Sequence, residues 1–291
     1  MIRTHQNIIL NGVDCGEVKS RRGSMFYNEG KWDTFIAPFL PDDCSDLTFL
    51  EIGCNAGIML NKAKERGFQK VIGIERNENA IGMGERVRAR DYKFINAEVD
   101  KNFDIDSLPM VDYLLLSNVH YYIHMPVFLK FVNLLRRKAR YVIVVSDSRR
   151  RITFHFPQPD YEVTRKYFRH FKEVKIIKDV DYGDDHRPRP QMFSILFKTE
   201  LERVPIDTII KSFDKAGTIH FNKAYQLIDF QDISLLCEKD KNSFDVMKDV
   251  LVNGVKQPII LLPNNRIVDG SHRVAMLKRL EHKSVIAEYC E

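Results

Sequence analysis

Residues 49–57 read Phe-Leu-Glu-Ile-Gly-Cys-Asn-Ala-Gly, and no other stretch constrains the fold of this chain so tightly. A short apolar run ends in an acid, two glycines follow four residues apart, and apolar residues at helical spacing run over 58–66. That order predicts a strand, a glycine turn and a helix. Glycine in such a turn lets a ligand approach main chain that a Cβ would screen, and the helix points its first N–H groups at the same place. The full Gly-x-Gly-x-x-Gly spacing of dinucleotide-binding turns is missing, so the neighbouring segments must decide what the turn holds.

Those segments alternate between residues 47 and 199. Strand-like runs fall at 49–52, 70–75, 92–96, 111–117, 141–146, 173–179 and 191–198, with helical periods at 58–66, 78–88, 125–137 and 161–170. An earlier helix is predicted over 31–40, where Trp32, Phe35, Ile36 and Phe39 share a face and Pro41 ends it. Alternation of this kind implies an α/β fold, a parallel sheet covered by helices on both faces, with ligands bound at the carboxyl ends of the strands. At those ends stand Glu51 with its glycine turn, Glu75, the run Asn96-Ala97-Glu98, and Ser117-Asn118-Val119-His120-Tyr121-Tyr122. Glu75 closes the second strand, where a carboxylate can accept hydrogen bonds from ribose hydroxyls.

Composition narrows the class. With 291 residues, 44% hydrophobic and 29% charged, the chain reads as a globular protein with one large core or two ordinary ones, two being favoured. The longest apolar runs, 114–116, 141–145 and 258–263, are too short to cross a bilayer, and no charged-then-apolar leader opens the sequence, so a cytoplasmic protein is expected. The five cysteines are scattered with no Cys-x-x-Cys pair, which argues against a disulfide framework or a zinc site, and no metal ligands are assigned. Residues 201–291 hold 13 Lys and Arg against 13 Asp and Glu, so the net charge of +5 belongs to the remainder, much of it in Arg-rich runs between Arg136 and Arg189. An anionic substrate explains that excess, and so does a solvated surface rich in arginine.

The strand-end residues together resemble the class I S-adenosylmethionine-dependent methyltransferases over roughly 47–198. In that resemblance Glu51-x-Gly53-x-x-x-Gly57, with Cys54, Asn55 and Ala56 inside it, is the first motif, and the cofactor implied is S-adenosyl-L-methionine. The backbone over 53–57 would face its methionine part. Glu75 and the adjoining Arg76 would lie at the ribose, Ala97 and Glu98 at the adenine, and Ser117 and Asn118 along the cofactor pocket. The last two strands, with 179–190 between them, are similar to the family's antiparallel hairpin. Asn55 departs from the family, many members of which have glycine there. The run after the fourth strand lacks the Asn/Asp-Pro-Pro-Tyr of enzymes that methylate exocyclic base amines, and no Pro-Cys pair suggests cytosine-C5 chemistry. Methyl transfer is an in-line displacement at a sulfonium, so positioning supplies much of the rate and a base is needed only for an acceptor that must lose a proton early. His120, of intrinsic pKa ~6.5, and Tyr121 are the catalytic candidates; the alternative for His120 is a packed, satisfied histidine. Tyr122, His124, Asp147 and His155 fall in segments expected to rim the acceptor pocket.

Past residue 199 the alternation stops. The predicted organisation is a methyltransferase domain over 1–200, a linker or bridging segment over 201–225 and a small α+β domain over 226–291. In the last, a helix is expected over 243–252 with Phe244, Met247, Val250 and Leu251 as one apolar stripe, closed by Asn253-Gly254. A strand over 258–262, a turn at 263–265, a returning strand over 266–268 and a helix over 272–280 with Ser271 as N-cap follow. A helix N-terminus carrying Gly270, Ser271, His272 and Arg273 is a ready anion site; a capped helix with a surface arginine is the plainer reading. The segment 226–287 resembles the ParB/sulfiredoxin-like superfamily, and Asp269-Gly270-Ser271-His272-Arg273 is nearest to the turn of the free serine kinases. That resemblance implies nucleotide binding, ATP or ADP with Mg, at Gly270, Ser271 and Arg273, with Asp269, His272 and Glu238 as candidate catalytic groups. Ser271 replaces the sulfiredoxin cysteine, which argues against sulfinic acid reduction. The leading expectation is a methyltransferase for a small-molecule or sugar-linked acceptor, phosphorylated or not, with a nucleotide-binding or kinase module. The alternatives are an RNA or DNA methyltransferase with a regulatory module, and a catalytically silent scaffold.

Overall fold

The computed structural model describes residues 9–10, 13–14, 25–87, 91–147, 161–181, 191–213 and 241–290. The chain divides into two compact units, the first being Met1–Phe103, Val111–Leu134 and Tyr141–Thr199, the second Asp104–Met110, Leu135–Arg140 and Glu200–Glu291.

The first unit opens on a small antiparallel pair, β1 (Ile9–Leu10) and β2 (Val13–Asp14), and helix α1 (Met25–Phe35). Helix α1 starts and stops earlier than the aromatic period suggests. Pro38 brings no N–H to the next turn, and Ala37–Phe39 tighten into a 3-10 turn instead. Then come β3 (Thr48–Ile52), α2 (Ile58–Glu65), β4 (Lys70–Glu75), α3 (Glu78–Val87), β5 (Lys93–Asn96), β6 (Val111–Ser117), α4 (Met125–Leu135), β7 (Ala139–Asp147), α5 (Tyr161–Tyr167), β8 (Lys172–Asp181) and β9 (Gln191–Lys198). The seven strands lie in the order β5-β4-β3-β6-β7-β9-β8. Pairs β3–β4, β4–β5 and β3–β6 are parallel, while β7–β9 and β9–β8 are antiparallel, so the sheet is mixed and Rossmann-like. The purely parallel sheet expected from alternation alone is corrected at this edge, where β9 runs back between β7 and β8 as the expected hairpin requires. Strands β3 and β6 are buried almost throughout, the signature of strands covered on both faces. Phe49 on β3 packs at 5.2 Å from Phe68, whose ring meets Tyr113 of β6 edge-on at 5.9 Å.

The second unit contains β10 (Glu202–Pro205), α6 (Ile206–Phe213), α7 (Lys241–Asn253), β11 (Ile259–Leu261), β12 (Ile267–Asp269), α8 (Ser271–Arg279) and β13 (Ser284–Tyr289). Its sheet has the order β10-β13-β11-β12, with β11–β13 parallel and the other pairs antiparallel. The stretch read from sequence as a linker therefore begins with a paired strand and a helix. Two short apolar side chains, Val204 and Ile206, were too little signal to separate a strand from a connector, yet both are buried in this core with Ile209, Ile259, Leu261 and Val285. Val250 of α7 joins that core, but Leu251 is 52% exposed, so it leaves the stripe assigned to it. Gly254, at φ +79°, closes α7 in the left-handed conformation. Helix α8 begins one residue before its expected start, with Gly270 at its N-cap and Ser271 as its first residue, so the hydroxyl does not cap it.

Lys138 belongs to this second unit. Its ammonium, 5% exposed, donates to the carbonyl oxygens of Asp106 at 2.9 Å, Leu108 at 3.0 Å and Lys256 at 2.7 Å. Burial pushes its pKa below the ordinary lysine value, opposed by the Asp106 carboxylate 4.0 Å away.

Candidate active site at the carboxyl ends of the sheet

The chain leaves β3 for β4 and β5 on one side, and β6 and β7 lie on the other, so the carboxyl ends of β3 and β6 form the switch point where ligands bind in such sheets. The glycine turn lies there. Gly53, Asn55 and Gly57 have φ of +71°, +52° and +81°. Asparagine tolerates the left-handed region better than other side chains, which accounts for Asn55 standing where a glycine is common. Its own Oδ1 accepts from the Ala56 N–H at 2.8 Å. The N–H groups of Gly53 and Cys54 both donate to the Ile74 carbonyl, at 2.8 and 3.1 Å, and the Asn55 N–H donates to Glu75 Oε2 at 2.9 Å. Helix α2 starts directly after Gly57 with no side-chain cap.

Glu75 thus holds the turn, and its other oxygen accepts from the Asn77 N–H at 2.9 Å. Each carboxylate oxygen keeps a second lone pair able to accept a further hydrogen bond. Glu98 is ion-paired with Arg76 across the ends of β5 and β4, at 2.5 Å between well-exposed groups. Glu98, the acid expected at the adenine, is therefore engaged by its neighbour, and the backbone of Ala97, whose N–H donates to the Glu75 carbonyl, brings the two strand ends together.

Two buried oxygens at this switch point have no hydrogen-bond partner among the described residues. One is Glu51 Oε2 on β3, the other Ser117 Oγ at the end of β6. Burial raises the Glu51 pKa to about 8, the nearby Lys31 charge pulls it down, and Glu75 pushes it up. Lys31, only 6% exposed on α1, is a functional neighbour that the sequence did not single out, because its helix was read only for its aromatic face.

The remaining candidates fare differently. His120 is fully buried, with its ring 6.0 Å from Phe128, and burial drives its pKa down to about 3. Such a ring is neutral at ordinary pH and is a very weak base, so the packed-histidine alternative fits it better than general base. Cys54 is buried and its thiol pushed well up, by burial first and then by Glu51 and Glu75, which makes it a packing residue. Tyr122 is 59% exposed beyond it, and His124 is exposed as well. Tyr121 lies in the 3-10 turn His120–Tyr122. His155 and Glu238 lie outside the described residues. Gly53 also serves the protein itself: a Cβ there would lie 2.5 Å from Cγ2 of Val119, in the turn after β6.

In the second unit a groove of about 570 Å³ includes Asp106, Asp245, Asp249, Lys256, Asp269 and Arg273 in its lining, together with Gly270, Ser271 and His272. Lys256 is paired with Asp249 at 2.8 Å. The Arg273 guanidinium donates to the carbonyls of Gln257 and Pro258, at 2.8 and 3.0 Å, and to the Asp269 carboxylate at 2.5 Å. It crosses Gly270, where a Cβ would meet it at 3.1 Å. Arg273 therefore fastens α8 to β11 and β12, and the anion clamp expected of it would have to break those bonds. Both cations of the lining are thus paired, as is Asp106, whose carboxylate lies 4.0 Å from the Lys138 ammonium, and among the described residues no group of three or more His, Cys, Asp or Glu could hold a metal ion.

Residues 26–174, just over half of the chain, match the family model described as a methyltransferase domain. The chain belongs to this family. It is the class I, S-adenosylmethionine-dependent kind of domain that the strand-end residues resemble, and the match runs from α1 into β8. Among solved structures, an SAM-dependent methyltransferase from Archaeoglobus fulgidus is similar at 18% identity and a TM-score of 0.48, covering 61% of this chain and 95% of that one. The N-methyltransferase NodS from Bradyrhizobium japonicum WM9, in complex with S-adenosyl-L-homocysteine, is similar at 15% identity and a TM-score of 0.44, covering 53% and 78%. No curated protein matches the chain. Among the described residues, no helix is long and apolar enough to cross a membrane.

Proposed function

We propose that this methyltransferase-family chain binds S-adenosyl-L-methionine across the switch point and transfers its methyl group to a small-molecule or sugar-linked acceptor. The observation that carries the reading is Glu51 Oε2, an unpartnered carboxylate oxygen buried beside a glycine turn. It fits the cofactor's ammonium, since a buried acid that stays largely protonated beside the single Lys31 charge is stabilised in its charged form by a further cation that can donate hydrogen bonds to it. When bound, the cofactor supplies an electrophilic methyl on a sulfonium. Glu51 would take the ammonium, the N-terminus of α2 the carboxylate, and Glu75 the ribose hydroxyls through the lone pairs not spent on Asn55 and Asn77. Ser117 Oγ offers a further polar contact from the adjacent strand end. With His120 buried and neutral, these residues orient rather than move protons, which suits an acceptor that is nucleophilic without early deprotonation. Calorimetry tests it: S-adenosylmethionine or its demethylated product should bind wild type in the micromolar range (~8 kcal/mol at 1 μM). A wild-type protein that binds neither ends the reading.

One observation favours a nucleic-acid acceptor as the second reading. Lys166 on α5, Arg169 in the turn after it, and Lys172 and Lys175 on the edge strand β8 are exposed. Their charge could follow a phosphate backbone, and binding to RNA or duplex DNA would then weaken steeply with salt. For the second unit we propose a ligand-binding role at the groove beside Gly270. Among its described residues the two cations beside the turn, Lys256 and Arg273, are already held by Asp249 and Asp269, so neither is available to a nucleotide phosphate and no phosphate transfer is proposed there.

A further inference from the structure

Helix α3 carries two glycines two residues apart, Gly82 and Gly84, in opposite surroundings. A Cβ on Gly82 would meet nothing within 4 Å, whereas one on Gly84 would lie 2.6 Å from Phe94 Cζ and 2.7 Å from the Ala56 carbonyl oxygen. Non-bonded carbon contacts are comfortable near ~3.5–4.0 Å, and the Ala56 oxygen is main chain inside the glycine turn, so it cannot rotate aside. Phe94 is shared between two such places. The same Cζ is 3.0 Å from where a Cβ of Gly57 would be. The Phe94 ring on β5 is thus wedged between the last glycine of the turn and Gly84 of α3, with Tyr92 edge-on to it at 5.4 Å. A glycine inside a helix is unfavourable relative to alanine unless something needs the room. At Gly84 the turn needs it.

We infer that Gly84 and Phe94 are positioning residues for the cofactor turn. Helix α3 docks through the bare Cα of Gly84 onto the Ala56 carbonyl, and the Phe94 ring supports the Gly57 end. The N–H groups of the turn and the start of α2 are thereby fixed before a ligand arrives. The inference rests on reading the turn as the S-adenosylmethionine site, but the fixing of the turn can be measured without any ligand.

The experiment compares wild type with Gly82→Ala, Gly84→Ala and the double variant Gly84→Ala/Phe94→Leu, by amide hydrogen exchange over residues 53–57, by calorimetry with S-adenosylhomocysteine and by thermal unfolding. Gly82→Ala should match wild type in exchange and affinity. Gly84→Ala should keep a cooperative unfolding transition while the turn amides exchange about tenfold faster and the Kd rises about tenfold or more, the scale at which small misplacements act. Phe94→Leu leaves the Ala56 clash in place and removes the ring beside Gly57, so the double variant should exchange at least as fast and bind at least as weakly as Gly84→Ala. Faster exchange confined to residues 53–57, with the amides of β6 and β7 as in wild type, separates lost positioning from general destabilisation. Wild-type exchange and affinity in Gly84→Ala would overturn the inference. If Gly84→Ala does not fold, Phe94→Leu alone carries the test, with faster turn exchange expected and unchanged exchange overturning it. If wild type binds no S-adenosylhomocysteine, the cofactor reading falls, while the exchange comparison still decides whether Gly84 positions the turn.

Discussion

A carboxyl group shut away from water holds its proton more tightly, and at Glu51 burial outweighs the nearby Lys31 charge, raising the pKa to about 8. The folded chain therefore holds a proton that the unfolded chain, at its ordinary 4.5, has released. The stability this group contributes is complete below the unfolded value and is lost as pH rises through the folded one. Thermal unfolding should show a Tm that falls between about pH 5 and pH 8, and Glu51→Gln should flatten that fall. Binding a cofactor ammonium at Glu51 should drive the proton off. Calorimetry at pH 7 in buffers of different ionisation enthalpy should then give release of about one proton for wild type and almost none for Glu51→Gln. His120 has the opposite sign. Its pKa of about 3 lies below the ordinary 6.5, so its contribution is complete above 6.5 and is lost as pH falls towards 3. Its imidazole resonances should not titrate between about pH 5 and pH 8, and the pH profile of methyl transfer should keep its shape in His120→Gln.

The element that organises the first unit, β3 with its turn and α2, was legible because each of its parts leaves a local mark: an apolar run, positive-φ glycines, then a period of 3.6. Even the missing middle glycine has a local explanation in Asn55, at φ +52°. Replacing it separates conformation from side chain. Asn55→Gly should stay within about 0.5 kcal/mol of wild type in chemical denaturation, while Asn55→Val, branched and forced into the left-handed region, should lose about 1–2 kcal/mol. Elements defined by what they pair with were harder to read. Strand β10 has no apolar run of its own; it is a strand because Arg203 and Val204 lie opposite Ile286 and Val285 of β13. Helix α1 was shifted in the sequence reading because the aromatic residues that face the core continue past the helix into the Ala37–Phe39 turn.

At the scale of the molecule, the second unit is not one contiguous piece of chain. It takes in Asp104–Met110 and Leu135–Arg140, and Lys138 closes it by holding three carbonyls from Asp106, Leu108 and Lys256. The Met110 N–H adds a 2.6 Å bond to the Val255 carbonyl. A fragment of residues 200–291 lacks these partners and should give a far-UV circular dichroism spectrum without cooperative melting. In the full chain, Lys138→Met removes the donor to three carbonyls, that of Leu108 in a buried bond and the others in partly buried ones, and should destabilise the second unit by about 2–4 kcal/mol, read as an earlier unfolding transition.

The sequence by itself determined the strand–turn–helix, the acids at successive strand ends and the methyltransferase domain they belong to, because period, glycine conformation and chain order are local properties. It could not assign the protonation of Glu51 and His120, the commitment of Arg273 to the carbonyls of Gln257 and Pro258, or the wedge of Phe94 between Gly57 and Gly84. Those depend on distance and on exclusion from water, and both are fixed only when segments far apart in the chain are packed together.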